Sequence, residues 1–228
     1  MKLISIEILA KGSSGWSSEP LLFGEHITHI SGPNGCGKTP IVQSIAFCLG
    51  YPCLFREEIY NRCSHAVLTI KNHLGEIKIK RAIRTDVDIQ LVNSKGVEQR
   101  FYDESEFADY LFDVFDFDRN TLVSPRRTPV KAYLSTLLPL FYLDQDDGYR
   151  SHYYSSKRFI QDQFEEMVRI VFKLPAKNSF DIKKKRIDKK NELENLDKKV
   201  SALYSRLEKK KEMSSIITLN SAEIYDEI

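Results

Sequence analysis

The sequence contains no apolar run approaching the roughly 20 residues of a membrane-spanning helix, and its first residues form no signal peptide. No membrane partner is expected, and the cytoplasm is the expected compartment. The four cysteines, Cys36, Cys48, Cys53 and Cys63, lack the paired spacing of a zinc site. Cys63 and His65 hint at a metal, but isolated reduced thiols are the simpler reading. Charge is nearly balanced at a net +2, so the total says little and only its distribution can inform. The globular part holds no internal repeat. What remains is a chain of 228 residues, 42% hydrophobic and 29% charged. That is enough for one sizeable core and an appendage.

One stretch stands out. Gly32-Pro33-Asn34-Gly35-Cys36-Gly37-Lys38-Thr39 fits G-x-x-x-x-G-K-[ST] at every defined position. Ile27-Thr28-His29-Ile30 before it reads as a short strand. Ile41, Val42, Ile45, Ala46 and Leu49 after it recur at helical spacing. Gly50 is placed as a C-cap glycine, and Pro52 prevents continuation. Strand, glycine-rich turn and helix are the context of a phosphate-binding loop. Glycines let the backbone approach phosphates, and amides at the helix N-terminus point at the anion. In that setting Lys38 reaches the β- and γ-phosphates and Thr39 ligates Mg²⁺. A nucleoside triphosphate site is the expectation.

The rest of the chain reads in order. Lys2 to Ile8 alternates as a first strand, followed by a Gly/Ser-rich loop from Lys11 to Pro20. Lys11 or Trp16 in that loop is a candidate to touch a base, and an ordinary surface turn explains both equally well. Strands are expected at 66–71, 76–84 and 87–92, with a hairpin turn at His73-Leu74-Gly75. They form an antiparallel sheet beside a parallel core. Glu104 to Val114 reads as a helix packing through Phe107, Tyr110, Leu111 and Val114. Ser124-Pro125-Arg126-Arg127-Thr128-Pro129 is a polar loop whose arginines are either solvated or in contact with phosphate. Leu137 to Leu143 is an apolar run leading into Asp144-Gln145. Phe159 to Phe172 is helical, with Phe159, Phe164, Met167, Val168 and Val171 available for packing.

Beyond Pro175 the character changes. Leu193, Leu196, Val200, Leu203 and Leu207 are spaced 3, 4, 3 and 4, the seam of a coiled coil. Residues 182–212 carry 12 Lys/Arg against 6 Asp/Glu. This is either the solvated face of a long helix or a track for DNA. Residues 1–175 are accordingly read as the globular lobe and 176–228 as the start of a coiled-coil arm.

This order of features resembles the N-terminal half of an SMC-like ABC ATPase head, the group of the SMC proteins, the SbcC-type repair ATPase, RecF and RecN. The expected fold is α/β: a phosphate-loop NTPase lobe with a mixed sheet and flanking helices, followed by the start of a long antiparallel coiled coil. Within the group, Gly37-Lys38-Thr39-Pro40, Cys48 to Pro52 and Phe141 to Tyr149 are similar to the SMC-like subunit of bacterial Lamassu defence systems. Cys36 stands where the family more often has serine, at a position that presents backbone amide. The resemblance implies that Asn34, Gly35, Cys36, Gly37, Lys38 and Thr39 bind ATP with Mg²⁺. It also makes Gln145 the Q-loop glutamine that reaches Mg²⁺, and Arg56 a sensor of nucleotide and DNA, though a surface salt bridge explains Arg56 as well. A competing reading makes Leu140 to Leu143 a Walker B strand ending in Asp144, but it leaves no catalytic glutamate.

The family's signature motif, Walker B acids and switch histidine have no match here. The resemblance therefore implies half a head, inactive alone, which works when two heads enclose two nucleotides. Implied partners are DNA, a second copy, a nuclease-type effector and an accessory subunit. The roles implied are DNA repair or maintenance, or defence against phage and plasmids. A nucleotide-dependent scaffold and a stand-alone phosphate-loop enzyme are the alternatives.

Overall fold

The computed structural model describes residues 1–73, 75–143, 153 and 158–225. They cluster into two units, Met1–Ser179 and Phe180–Ile228. The first unit is built on an antiparallel sheet of six strands: β1 (Lys2–Ala10), β2 (Leu21–Leu22), β3 (Cys63–Asn72), β4 (Gly75–Ala82), β5 (Ile89–Asn93) and β6 (Glu98–Phe101), in the order β2-β1-β3-β4-β5-β6. Register sorts its two faces. Ile6, Leu68, Ile79 and Leu91 lie opposite one another across four strands, and all are buried. The adjacent row, Glu7, Val67, Lys80, Gln90 and Arg100, belongs to the other face and is mostly polar. Period-two alternation of this kind is what a half-solvated antiparallel sheet requires.

The apolar face is covered by α1 (Lys38–Cys48) and α3 (Glu104–Val114). From α1 come Ala46, Phe47 and Cys48, and from α3 come Phe107, Leu111 and Phe112. The Phe101 and Phe107 rings meet with centroids 5.5 Å apart, joining β6 to α3. α3 has the expected bounds because Asp103 caps it, accepting from the Ser105 and Glu106 amides at 2.7 and 3.1 Å. Such a cap is worth about 1 kcal/mol. A short α2 (Glu57–Arg62) leads into β3. A second sheet, β7 (Thr121–Val123) with β8 (Pro129–Lys131), forms a small hairpin. α4 (Leu134–Leu137), a 3-10 turn (Leu138–Leu140) and α5 (Gln163–Val171) complete the unit.

Several expectations change. Ile27 to Ile30 forms no strand, and Ile27 is 88% exposed. A strand needs a neighbour to satisfy its backbone groups, and no described residue pairs with these four. All strand pairs described are antiparallel, so the expected mixed sheet and its parallel core are not present among the described residues. Leu140 to Leu143 is the end of a 3-10 turn and coil, with Phe141 and Leu143 both 68% exposed. A Walker B strand would bury them, so that reading loses its strand. α5 starts at Gln163 and not at Phe159. Its packed face is Met167 and Ile170 with Glu166, while Phe164 is largely exposed. β6, β7, β8, α2 and α4 were not expected.

The second unit is α6 (Phe180–Tyr225), one helix of 46 residues. Its stripe of Leu193, Leu196, Val200, Leu203 and Leu207 is 47 to 59% exposed. The helix is as expected; nothing among the described residues covers its seam.

Candidate nucleotide site

The loop from Gly32 to Gly37 turns the chain directly into α1. Gly35 and Gly37 have φ of 82° and 92°, left-handed conformations that favour glycine. A Cβ added to either would meet nothing within 4 Å, so space as well as conformation is left open there. Gly37 is the N-cap of α1, without a side-chain cap, and the first turn carries no acidic residue. The first amides of a helix lack intrahelical acceptors, and the helix dipole places positive potential on them. An acid-free N-terminus of this kind suits an anion. Pro40, inside the first turn, removes an N–H that the helix would not use.

Lys38 folds back over its own loop. Its Nζ donates to the carbonyl oxygens of Gly32 and Pro33, each at 2.7 Å, and lies 3.8 Å from the Cys36 sulfur. These carbonyls occupy the role that phosphate oxygens would take, and a charge-assisted bond to an anion is stronger than one to a neutral carbonyl. Asn34, Gly35, Cys36 and Thr39 are exposed. The loop thus presents two open glycines, a helix N-terminus, an ammonium and the Thr39 hydroxyl on one short segment.

The other end of α1 is anchored in the core. The C-cap is Leu49, and Gly50 follows it with φ 91°, the left-handed residue that ends the helix; its amide donates to the Phe47 carbonyl at 3.0 Å and that of Tyr51 to the Ala46 carbonyl at 2.9 Å. Arg81, on the apolar face of β4, donates to the Phe47 carbonyl at 2.5 Å, and its guanidinium lies 4.1 Å from the Phe47 ring centroid. Burial lowers its pKa from the ordinary arginine value. Burial pushes the adjacent Cys48 thiol up to about 12, while the Arg81 charge pulls the other way. Arg81 escaped the sequence reading because a cation at an inward position of a strand looks like an outward residue slipped in register.

The remaining candidates lie elsewhere. Arg56 is the backbone N-cap of α2, exposed and without an ion pair among the described residues. Lys11 is engaged, donating from Nζ to the Tyr60 carbonyl at 2.9 Å. The amides of Lys11 and Trp16 both donate to the Arg62 carbonyl at 2.9 Å, which ties their loop to the end of α2. Gln145 and Asp144 lie outside the described residues. The turn leading to them is fixed at Tyr142, whose ring meets Tyr51 with centroids 5.3 Å apart. That contact joins it to the segment just after Gly50, a link that spacing alone does not show. Among the described residues no group of three or more His, Cys, Asp or Glu could hold a metal ion.

The model of a protein family described as AAA domain matches residues 11–227. The chain belongs to this AAA-domain family. The match places the Gly32–Thr39 loop within a phosphate-loop ATPase domain of a kind found in SMC-like proteins. No curated protein matches the chain.

Proposed function

We propose that this AAA domain is the N-terminal lobe of an SMC-like ATPase head, which binds ATP with Mg²⁺ between paired heads and engages DNA. The observation that carries the reading is Lys38, held by two backbone carbonyls at the mouth of a helix N-terminus without cap or acid. On binding, Lys38 would leave the Gly32 and Pro33 carbonyls for the β- and γ-phosphate oxygens. Amides of Gly35 to Thr39 would take the remaining oxygens, and Thr39 with Gln145 would hold Mg²⁺. The metal, when bound, neutralises charge on the phosphates as the terminal phosphoryl group leaves.

Residues 1–175 are the lobe in this reading, and residues 176–228 begin a coiled-coil arm whose partner helix covers the Leu193–Leu207 stripe. The partners are DNA, a second copy of the chain, a nuclease-type effector and an accessory subunit. The setting is cytoplasmic, in DNA maintenance or in Lamassu-type defence against phage and plasmid DNA. Lys38→Ala tests the core of the reading. Its ATP affinity should fall at least about 100-fold, roughly 2.7 kcal/mol, since it loses charge-assisted bonds to two phosphates. The fold should persist, because the ammonium serves ligand and not core. A fluorescent ATP analogue titrated into both proteins measures it, and ATP turnover with and without duplex DNA tests the DNA half. A folded variant with unchanged affinity removes Lys38 from the site.

A further inference from the structure

The β7–β8 hairpin displays two adjacent arginines on an unusually constrained tip. The Ser124 carbonyl accepts from the Arg127 amide at 2.9 Å, closing a turn with Pro125 and Arg126 at its central positions. The Ser124 amide donates to the Thr128 carbonyl at 2.9 Å, and the Thr128 amide donates to Ser124 Oγ at 3.0 Å. The two hydroxyls meet at 2.7 Å, forming a clamp beneath the arginines. Pro125 fixes the first central position, and Pro129 opens β8. The base is mounted as firmly: Leu122 and Val123 are buried, Leu122 bridges Ser179, and the Val123 carbonyl accepts from the Gln161 amide at 2.8 Å.

Arg127 closes the turn with φ 62°, in the left-handed region. The residue after such a turn in a hairpin is ordinarily glycine. A long β-carbon-bearing side chain there is strained, as at Asp116, Asp162 and Lys173, and it raises the question of what the side chain does. Four other arginines of the same unit are committed to carboxylates, whereas Arg56 is exposed and, among the described residues, unpaired. Arg84 and Arg100 hold Asp88, Arg119 holds Asp113, and Arg169 holds Glu165. Arg126 and Arg127 are exposed and hold no carboxylate among the described residues. A solvated loop requires neither a strained arginine nor a clamp to stiffen it.

We infer that the Ser124–Thr128 hairpin tip is a contact for the phosphodiester backbone of duplex DNA, with Arg126 and Arg127 each facing a phosphate. A guanidinium fork suits phosphate oxygens, and a rigid mount spares the backbone ordering that a loose loop would lose on binding. The contact is blind to base sequence, since phosphates position a protein without specifying a site. This inference rests on the DNA-engaging reading above and adds the surface that carries it.

The test is a salt titration of a fluorescein-labelled duplex by anisotropy, using the full chain and three variants. Arg126→Gln with Arg127→Gln should weaken binding about tenfold or more at low salt and reduce the slope of log affinity against log salt by about two. Arg127→Gly should lower the slope by about one while raising the unfolding midpoint, because glycine relieves the left-handed strain that the arginine carries. Arg127→Lys keeps the charge and should retain most of the affinity. Opposite movements of stability and binding in Arg127→Gly separate a contact from a merely structural residue. Binding by the wild type with unchanged affinity and slope in the double variant overturns this inference alone. No binding of duplex by the wild type overturns it together with the DNA-engaging reading.

Discussion

The two ends of α1 are built to opposite plans. At its C-terminus the helix is fastened by Gly50, by the Arg81 bond to the Phe47 carbonyl, and by the burial of Phe47 and Cys48. At its N-terminus the cap is a glycine without a side chain, the first turn holds no acid, and Lys38 is bound only to its own loop. Stabilising contacts are concentrated at the end away from the glycine-rich loop. The N-terminal end, where the proposed ligand would bind, leaves its first amides uncapped and its ammonium on two loop carbonyls. The consequence is a separation of effects: changes at the far end should alter folding, and changes at the near end should alter binding. Any residue that moves both equally breaks the comparison.

The largest effect expected is on alkaline stability, through Cys48. Burial raises its thiol from 9.0 to about 12 in the folded chain. A group raised by folding stabilises fully below its unfolded value and loses that contribution as pH rises toward the folded one. Between those limits the unfolded chain has released a proton that the folded chain keeps, so stability falls with pH. The slope is about 1.4 kcal/mol per pH unit, or roughly 4 kcal/mol across the window. Burial also raises Cys63, Tyr110 and Tyr153, which push in the same direction. Urea unfolding at pH 8 to 11 should therefore show a flatter decline for Cys48→Ala than for the wild type, even from a lower starting stability. Identical declines would mean that the thiol is not sealed. ATP affinity at neutral pH should not change.

Next in size is Arg81. Arg81→Ala removes the partner of the Phe47 carbonyl, the stacking on the Phe47 ring, and the volume between β4 and α1. Together these should cost about 3 kcal/mol. Arg81→Met keeps most of the volume and spares the desolvation of a charge, so it should cost only about 1 kcal/mol. Chemical denaturation of the three proteins measures both. Below the unfolding transition all three should bind a nucleotide analogue alike. Loss of nucleotide affinity in folded Arg81→Ala would show that the far end reaches the near one and that the separation fails.

The near end was legible in the sequence because its chemistry is local. Glycines, a lysine ammonium and a threonine hydroxyl sit on a few consecutive residues, so spacing alone carries the pattern. α3 was legible for a similar reason, with its cap at Asp103 and its buried face at Phe107, Leu111 and Val114 all within one segment. The far end was not. Arg81 and Phe47 are 34 residues apart, and only the pairing of β4 brings them together. Glu98 to Phe101 is a strand because β5 pairs with it; three of its four residues are exposed and polar. Ile27 to Ile30 erred the other way, its β-branched residues suggesting a strand for which no described neighbour exists. Gln145, on which the Mg²⁺ reading depends, lies outside the described residues.

The smallest effect is also the most local, and it concerns Cys36. This thiol is exposed in the phosphate loop, whereas Cys48 and Cys63 are buried and the Cys53 sulfur is half-buried, donating to the Gln43 carbonyl at 3.4 Å. A neutral alkylating agent such as iodoacetamide should therefore modify Cys36 first, and Cys36→Ser should abolish that fast phase. If Gly32 to Thr39 wraps the phosphates, the reagent can reach the sulfur only in the free loop. The rate should then fall by the free fraction, about 11-fold when ATP stands at ten times its dissociation constant. Serine at position 36 leaves the backbone amide in place, so ATP affinity should stay within about twofold, or roughly 0.4 kcal/mol. The two measurements constrain each other. Protection without a role in affinity means that Cys36 lines the site through its backbone alone. A large loss of affinity in Cys36→Ser would give the sulfur a part in holding Lys38, which lies 3.8 Å away. An alkylation rate indifferent to saturating ATP would place the nucleotide elsewhere and leave the open end of α1 without its ligand.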